Sequence, residues 1–172
     1  MRRTWGVLFL SMAMSADASA ESAKTVAARH DTSQPIHVSS NQFLADVNSK
    51  SGTWSGNVVI TQGDIRMHAN SVRMNIVNDK PEQIFATGDV VVDSPNSGTA
   101  TGDNGVYEVG PRQITLNGHV VLSKDKNVMR GSTLRVDLVT GKVLLGAKDM
   151  PGGRVQGLFT PPPQSGGATQ KP

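Results

Sequence analysis

Gly56-Asn57-Val58-Val59-Ile60, Gly88-Asp89-Val90-Val91-Val92 and Gly118-His119-Val120-Val121-Leu122 are three copies of one phrase. Their glycines stand 32 and 30 residues apart. A second phrase interleaves with the first: Ala69-Asn70-Ser71-Val72-Arg73-Met74, Gly102-Asp103-Asn104-Gly105-Val106-Tyr107 and Gly131-Ser132-Thr133-Leu134-Arg135-Val136. Ser40-Asn41-Gln42-Phe43-Leu44-Ala45 reads as a weaker opening copy. Self-similarity at such a period marks a stacked architecture, whose single unit cannot bury its apolar face alone.

The residue chemistry of both phrases is that of strands. Gly-Asn and Gly-Asp offer the positive φ of tight connections, so each first phrase is expected to start at a turn. The Val/Ile run behind it suits a pleated strand covered on both faces. Around the second phrase the pattern alternates. Ile65, Met67 and Ala69 oppose Arg66, His68 and Asn70; then Val72, Met74 and Ile76 oppose Arg73 and Asn75. Period two gives one apolar and one polar face. The expected fold is all-β: a continuous antiparallel structure of repeated short strands, rolled or sandwiched.

The chain opens on Arg2 and Arg3, an apolar segment from Trp5 to Met14, and Ala18-Ser19-Ala20. That is the pattern of an export leader cleaved before Glu21. The segment is too short for a membrane span, which needs roughly 20 apolar residues. Loss of residues 1–20 leaves 15 basic and 13 acidic residues, a net charge of +2. A near-neutral chain with dispersed cations and one Tyr does not read as a nucleic-acid binder. With no Cys, no disulfide supports it in an oxidising compartment. Residues 21–34 are expected as a flexible arm and residues 35–159 as one β domain. Residues 160–172, rich in Pro, Gly, Ser and Gln, are expected as a disordered tail.

Within the domain, strands are expected at Pro35–Ser39 and in a hairpin over residues 41–56. One follows at Ile65–Ile76, and a strand pair at Ile84–Val92. Further strands are expected at Thr99–Val109, Gln113–Ser123, Asn127–Leu138, Lys142–Leu145 and Arg154–Phe159. Asn78-Asp79-Lys80-Pro81 is a clear turn cluster.

Catalytic patterns are missing. His30, His37, His68 and His119 lack the short spacing of a metal pair and read as solvent-facing positions. Gly141-Lys142 has neither the upstream Gly nor the following Ser or Thr of a phosphate loop. Asp103 and Asp137 stand alone, and no Gly-x-Ser-x-Gly elbow occurs. The expectation is a binding or scaffolding protein without enzyme activity, metal or cofactor. Its apolar strand faces would line a groove, and its terminal strands could add to another chain's sheet.

Gln34-Pro35-Ile36-His37-Val38 and Thr53-Trp54-Ser55-Gly56-Asn57-Val58-Val59-Ile60-Thr61-Gln62-Gly63 resemble the organic-solvent-tolerance (OstA-like) family. Gly88-Asp89-Val90 and Thr101-Gly102-Asp103-Asn104-Gly105-Val106-Tyr107 fit it too. The resemblance covers residues 34–159. Gly102 and Gly131 depart from it, since the family's second phrase often has Ala there.

This resemblance implies a twisted β-jellyroll, open at both ends, in the periplasm. It implies passage of lipopolysaccharide, with its lipid A part shielded inside. It implies an inner-membrane LptC-like protein at one end, an outer-membrane LptD-like translocon at the other, and head-to-tail self-association. Strand parity then nominates lipid contacts: Ile36, Val38, Trp54, Val58, Ile60, Ile65, Met67 and Val72 in the first half. In the second they are Met74, Ile76, Leu116, Val120, Leu122, Leu134 and Val136. Two rivals stand beside this reading. One is a membrane-anchored LptC-like member of the same family. The other is a structural β-repeat surface protein without lipid cargo.

Overall fold

Each glycine phrase lies in the middle of a strand and bends it. The computed structural model describes residues 30–148 and 152–161. The expected leader, the arm before His30 and the tail after Pro161 lie outside these residues.

The described residues form one antiparallel sheet of ten strands. These are β1 (His37–Ser39), β2 (Gln42–Asp46), β3 (Ser51–Gln62), β4 (Ile65–Val77) and β5 (Lys80–Ser94). β6 (Gly98–Glu108), β7 (Gln113–Lys124), β8 (Asn127–Asp137), β9 (Val143–Gly146) and β10 (Gln156–Leu158) follow. The path runs β1-β3-β4-β5-β6-β7-β8-β10, with β2 also pairing β3 and β9 also pairing β8. All-β character and antiparallel order are as the alternation requires. Ile84–Val92, read as a strand pair, is instead the interior of the single strand β5.

The expected turns at Gly56, Gly88 and Gly118 are β-bulges. Both residues of each pair have positive φ: Gly56 and Asn57 at 77° and 49°, Gly88 and Asp89 at 79° and 47°, Gly118 and His119 at 77° and 38°. The ladder between β3 and β4 shifts between Ser55 and Val58, and that between β7 and β8 between Asn117 and Val120. An extra residue on one strand bends it and sharpens its twist. Asn78 and Asp79, at 50° and 58°, show the same signature where β4 does turn back into β5.

The second phrase supplies the partner of the first. Asn41 lies against the Cβ side of Gly56, Asn70 against Gly88 and Asp103 against Gly118. A Cβ on Gly88 would meet Asn70 Nδ2 at 2.6 Å, so any other residue there must displace the Asn70 side chain. Asn70 Nδ2 donates to Asp89 Oδ2 at 3.2 Å, and His119 Nδ1 lies 2.8 Å from Asp103 Oδ2. All these polar residues are exposed and form a ridge across the sheet. Asp103, read as a lone turn carboxylate, belongs to this ridge.

The bulge column divides the sheet into two leaves. One joins β2, the first half of β3, the second half of β4, and so on to β9. The other joins β1, the second half of β3, the first half of β4, and so on to β10. The bend also moves the inward parity within a strand. In β4, Ile65, Met67 and Ala69 are buried, and after two corner residues, the exposed Asn70 and half-buried Ser71, Val72 and Met74 are buried. The core lies between the leaves.

Candidate functional site

The inward faces hold most of the nominated residues. Val58, Ile60, Ile65, Met67, Val72, Met74, Leu116, Val120 and Leu134 are buried in one apolar cluster. Ile36, Val38, Trp54, Leu122 and Val136 are half-buried against it. Ile76 is outside it. It is half-buried near the end of β4, beside a slip at which β5 carries the extra residue Glu82.

The cluster is not filled. A cavity of about 240 Å³ lies between the leaves. Of the nominated residues, Ile65, Leu116, Leu122, Leu134 and Val136 line it. Val92, Ala100, Ile114 and Leu138 also line it and were not singled out. Leu116 and Leu122 lie on either side of one bulge in β7, so that strand folds around the space. Parity stepped back two residues from Leu116 would have located Ile114. Leu138 lies beyond the last residue of its strand, where alternation no longer speaks.

One rim of the cavity is polar: His30, Ser94, Asn96, Ser97 and Lys124. Here the hairpin turns of the two leaves face each other, and side chains join them. Tyr107 of β6 donates its O–H to Gln62 Oε1 of β3 at 3.0 Å. Burial pushes the Tyr107 hydroxyl pKa above its ordinary 10.0, against a smaller opposing pull from Arg112. The buried Gln62 amide donates to the backbone oxygens of Thr32 and Gln34 at 2.9 and 3.0 Å. Nothing in the spacing of Gln62 and Tyr107 announces this bridge.

His30 corrects its reading as a solvent-facing residue: its side chain is 4% exposed. Nδ1 faces Asp64 Oδ1 and Oδ2 at 3.0 and 3.2 Å, and Nε2 faces Ser97 Oγ at 3.0 Å. Ser94 Oγ and Asn96 Nδ2 also donate to Asp64 Oδ2. Burial pushes the Asp64 carboxyl pKa up, but the His30 contact and the smaller hydrogen bonds outweigh it, and the net shift is below 3.8. The order Asp–His–Ser is that of a hydrolytic relay, in which the serine amide would stabilise the oxyanion. The Ser97 amide is committed to Ser94 O at 3.1 Å, so the group reads as a clasp.

Among the described residues, the outer strands have an unpaired edge at both ends of the roll. All residues of β2 are exposed, with Phe43 at 58% and Leu44 at 70%. Phe43 stacks on Trp54 with ring centroids 4.7 Å apart. At the other end Val143 and Leu144 of β9 and Leu158 of β10 are exposed. Asp137 caps the turn before β9, accepting the amides of Val139 and Thr140 at 2.9 Å each.

A bent antiparallel roll with an apolar, unfilled interior and open ends defines a carrier of apolar cargo. The chain belongs to the family described as LptA/(LptD N-terminal domain) LPS transport protein, whose model matches residues 37–142. Transport of lipopolysaccharide is a non-enzymatic role. An uncharacterised protein of Rhizobium meliloti is 31% identical over 157 residues, covering 84% of this chain and 81% of that protein. The lipopolysaccharide export system protein LptA of Escherichia coli K12 is 37% identical over 65 residues, or 38% of this chain and 35% of LptA. The crystal structure of LptH, the LptA-homologous periplasmic component of the lipopolysaccharide transport device of Pseudomonas aeruginosa, has the same fold. Its TM-score is 0.67 at 20% identity, covering 77% of this chain and 99% of that one.

Proposed function

We propose that this chain carries lipopolysaccharide through the periplasm, with the acyl chains of lipid A between the two leaves. The observation that carries this reading is the apolar cavity between leaves whose terminal edges are unpaired. Exposing acyl chains to water costs roughly 0.8 kcal/mol per methylene. A lipid with several chains therefore crosses an aqueous gap only if a surface replaces the bilayer along the way. The nominated inward residues supply such a surface.

The unpaired edges suit end-to-end growth. The β9 edge of one copy meets the β2 edge of the next, and β10 meets β1, so that the interior runs on from copy to copy. At the two ends of such a series an LptC-like inner-membrane protein and an LptD-like outer-membrane translocon take the same edges. The leader over residues 1–20 exports the chain and is removed.

The test is photocrosslinking in cells. A photoreactive residue at Leu122 or Val136 captures lipopolysaccharide, and one at outward Arg130 or Arg135 does not. Equal capture at inward and outward positions, or none at either, refutes the reading. Recovery of a mature chain beginning at Glu21 checks the export step.

A further inference from the structure

The interior as described is small for its cargo. A dry cavity of about 150 Å³ holds one benzene-sized molecule. The 240 Å³ between the leaves therefore takes a segment of one acyl chain, not a lipid with several. To hold the whole cargo the leaves must part, and their free margins are the two facing rows of hairpin turns. What fastens those margins decides how lipid enters.

One side-chain link crosses between the leaves there, and the others fasten residues 30–34 to the leaf that carries the β3–β4 and β5–β6 turns. Tyr107 on one leaf is bonded to Gln62 on the other. Gln62 also holds the segment His30–Gln34 through two carbonyls. His30, at the start of that segment, reaches Asp64 in the β3–β4 turn and Ser97 in the β5–β6 turn while lining the cavity rim. The Asp31 carbonyl oxygen sits 2.8 Å from the Cβ position at Gly63, on the same leaf as Asp64, and its carboxyl pKa is lowered chiefly by the hydrogen bonds from Ser33 and Gln34, with Arg112 of the other leaf the least of the causes. Ile36, next along, lines a smaller cavity with Tyr107, Ile114 and Leu138. Residues 30–36 thus run along the gap between the two margins.

We propose that residues 30–36 are a releasable strap over the side of the groove, and that His30 with Asp64 and Ser97 is its clasp. This rests on the lipid-carrier reading above. The clasp fits release better than permanent closure. It is held by side chains without a strand ladder. The only ladder hydrogen bonding nearby begins at His37. Detaching His30 opens the polar rim directly onto the apolar wall formed by Leu122, Leu134 and Val136. Lipid then enters or leaves sideways between the leaves as well as along the axis.

The experiment uses the protein purified from the periplasm and deep-rough lipopolysaccharide as the probe. Hydrogen exchange of the wild type is followed over residues 30–36 with and without the probe. Faster exchange of these amides on binding is expected; unchanged or slower exchange overturns the strap. In parallel, loading is timed by displacement of the apolar fluorophore N-phenyl-1-naphthylamine in wild type, His30→Ala and Asp64→Asn. Both variants are expected to load about tenfold faster, the change that one lost hydrogen bond to a charged group allows. Equal rates in all three overturn the proposal while the carrier reading stands. If the wild type captures no lipopolysaccharide at equilibrium, the carrier reading and the strap fall together.

Discussion

Gly88→Ala tests whether the glycine phrases are the hinge of the roll. Gly88 sits at φ 79°, where an L side chain costs roughly 1–2 kcal/mol. The new Cβ would lie 2.6 Å from Asn70 Nδ2, so Asn70 must move. It then gives up its exposed 3.2 Å hydrogen bond to Asp89, worth about 0.5–1 kcal/mol. Together these cost about 1.5–3 kcal/mol, a fall of roughly 5–15 °C in Tm for a domain of this size. Thermal unfolding followed by far-UV circular dichroism measures it. Gly110→Ala is the control: nothing lies within 4 Å of its Cβ position, and a shift within about 0.5 kcal/mol is expected. A double-mutant cycle with Asn70→Ala separates the two contributions, because that change removes the clash and leaves the dihedral cost. The reasoning is refuted if Gly88→Ala unfolds within about 1 °C of the wild type, or if Asn70→Ala rescues it completely.

Tyr107→Phe strands Gln62 Oε1 without its partner, and a cost of about 1–3 kcal/mol in urea unfolding is expected; no change would mean that the leaves are not bridged there. The Asp64 carboxyl is held below 3.8, so its contribution to stability is complete above that pH and is lost as the pH falls through the lower folded value. The urea midpoint should be level near neutrality and drop below about pH 4, and Asp64→Asn should drop less steeply. Asp46 and Asp137, lowered chiefly by backbone hydrogen bonds from Ser49 and Thr140, act in the same direction and leave part of the slope in that variant. Leu144→Lys places a charge on the exposed β9 edge; sedimentation velocity should show lost self-association at an unchanged Tm, and undiminished assembly would exclude that edge as the contact.

Strand character and the inward rows were legible because burial writes itself into alternation. The move from Ile65-Met67-Ala69 to Val72-Met74 was visible before its cause was. The bulges were not legible as bulges. Gly56-Asn57 and Asn78-Asp79 have nearly the same dihedral signature, yet one bends a strand and the other reverses it. Local chemistry specifies the positive φ, and only the pairing partners decide which outcome follows. Ile76 keeps its place in the alternation of β4 yet falls outside the cluster near the strand's end, where parity alone does not report burial. The clasp at the rim was invisible because His30 meets residues 34 and 67 positions away. Such contacts between turns leave no periodic trace. Ile114, by contrast, was within reach of the same parity argument that located Leu116.

The pairing of each glycine bulge with the polar corner of the preceding strand makes one period a self-sufficient increment. Two strands and one bend come with every 30 or 32 residues. At about 4.8 Å per strand, each increment lengthens the conduit by roughly 10 Å. Span is therefore an inheritable integer: duplicating or deleting a whole period resizes the passage without redesigning its cross-section.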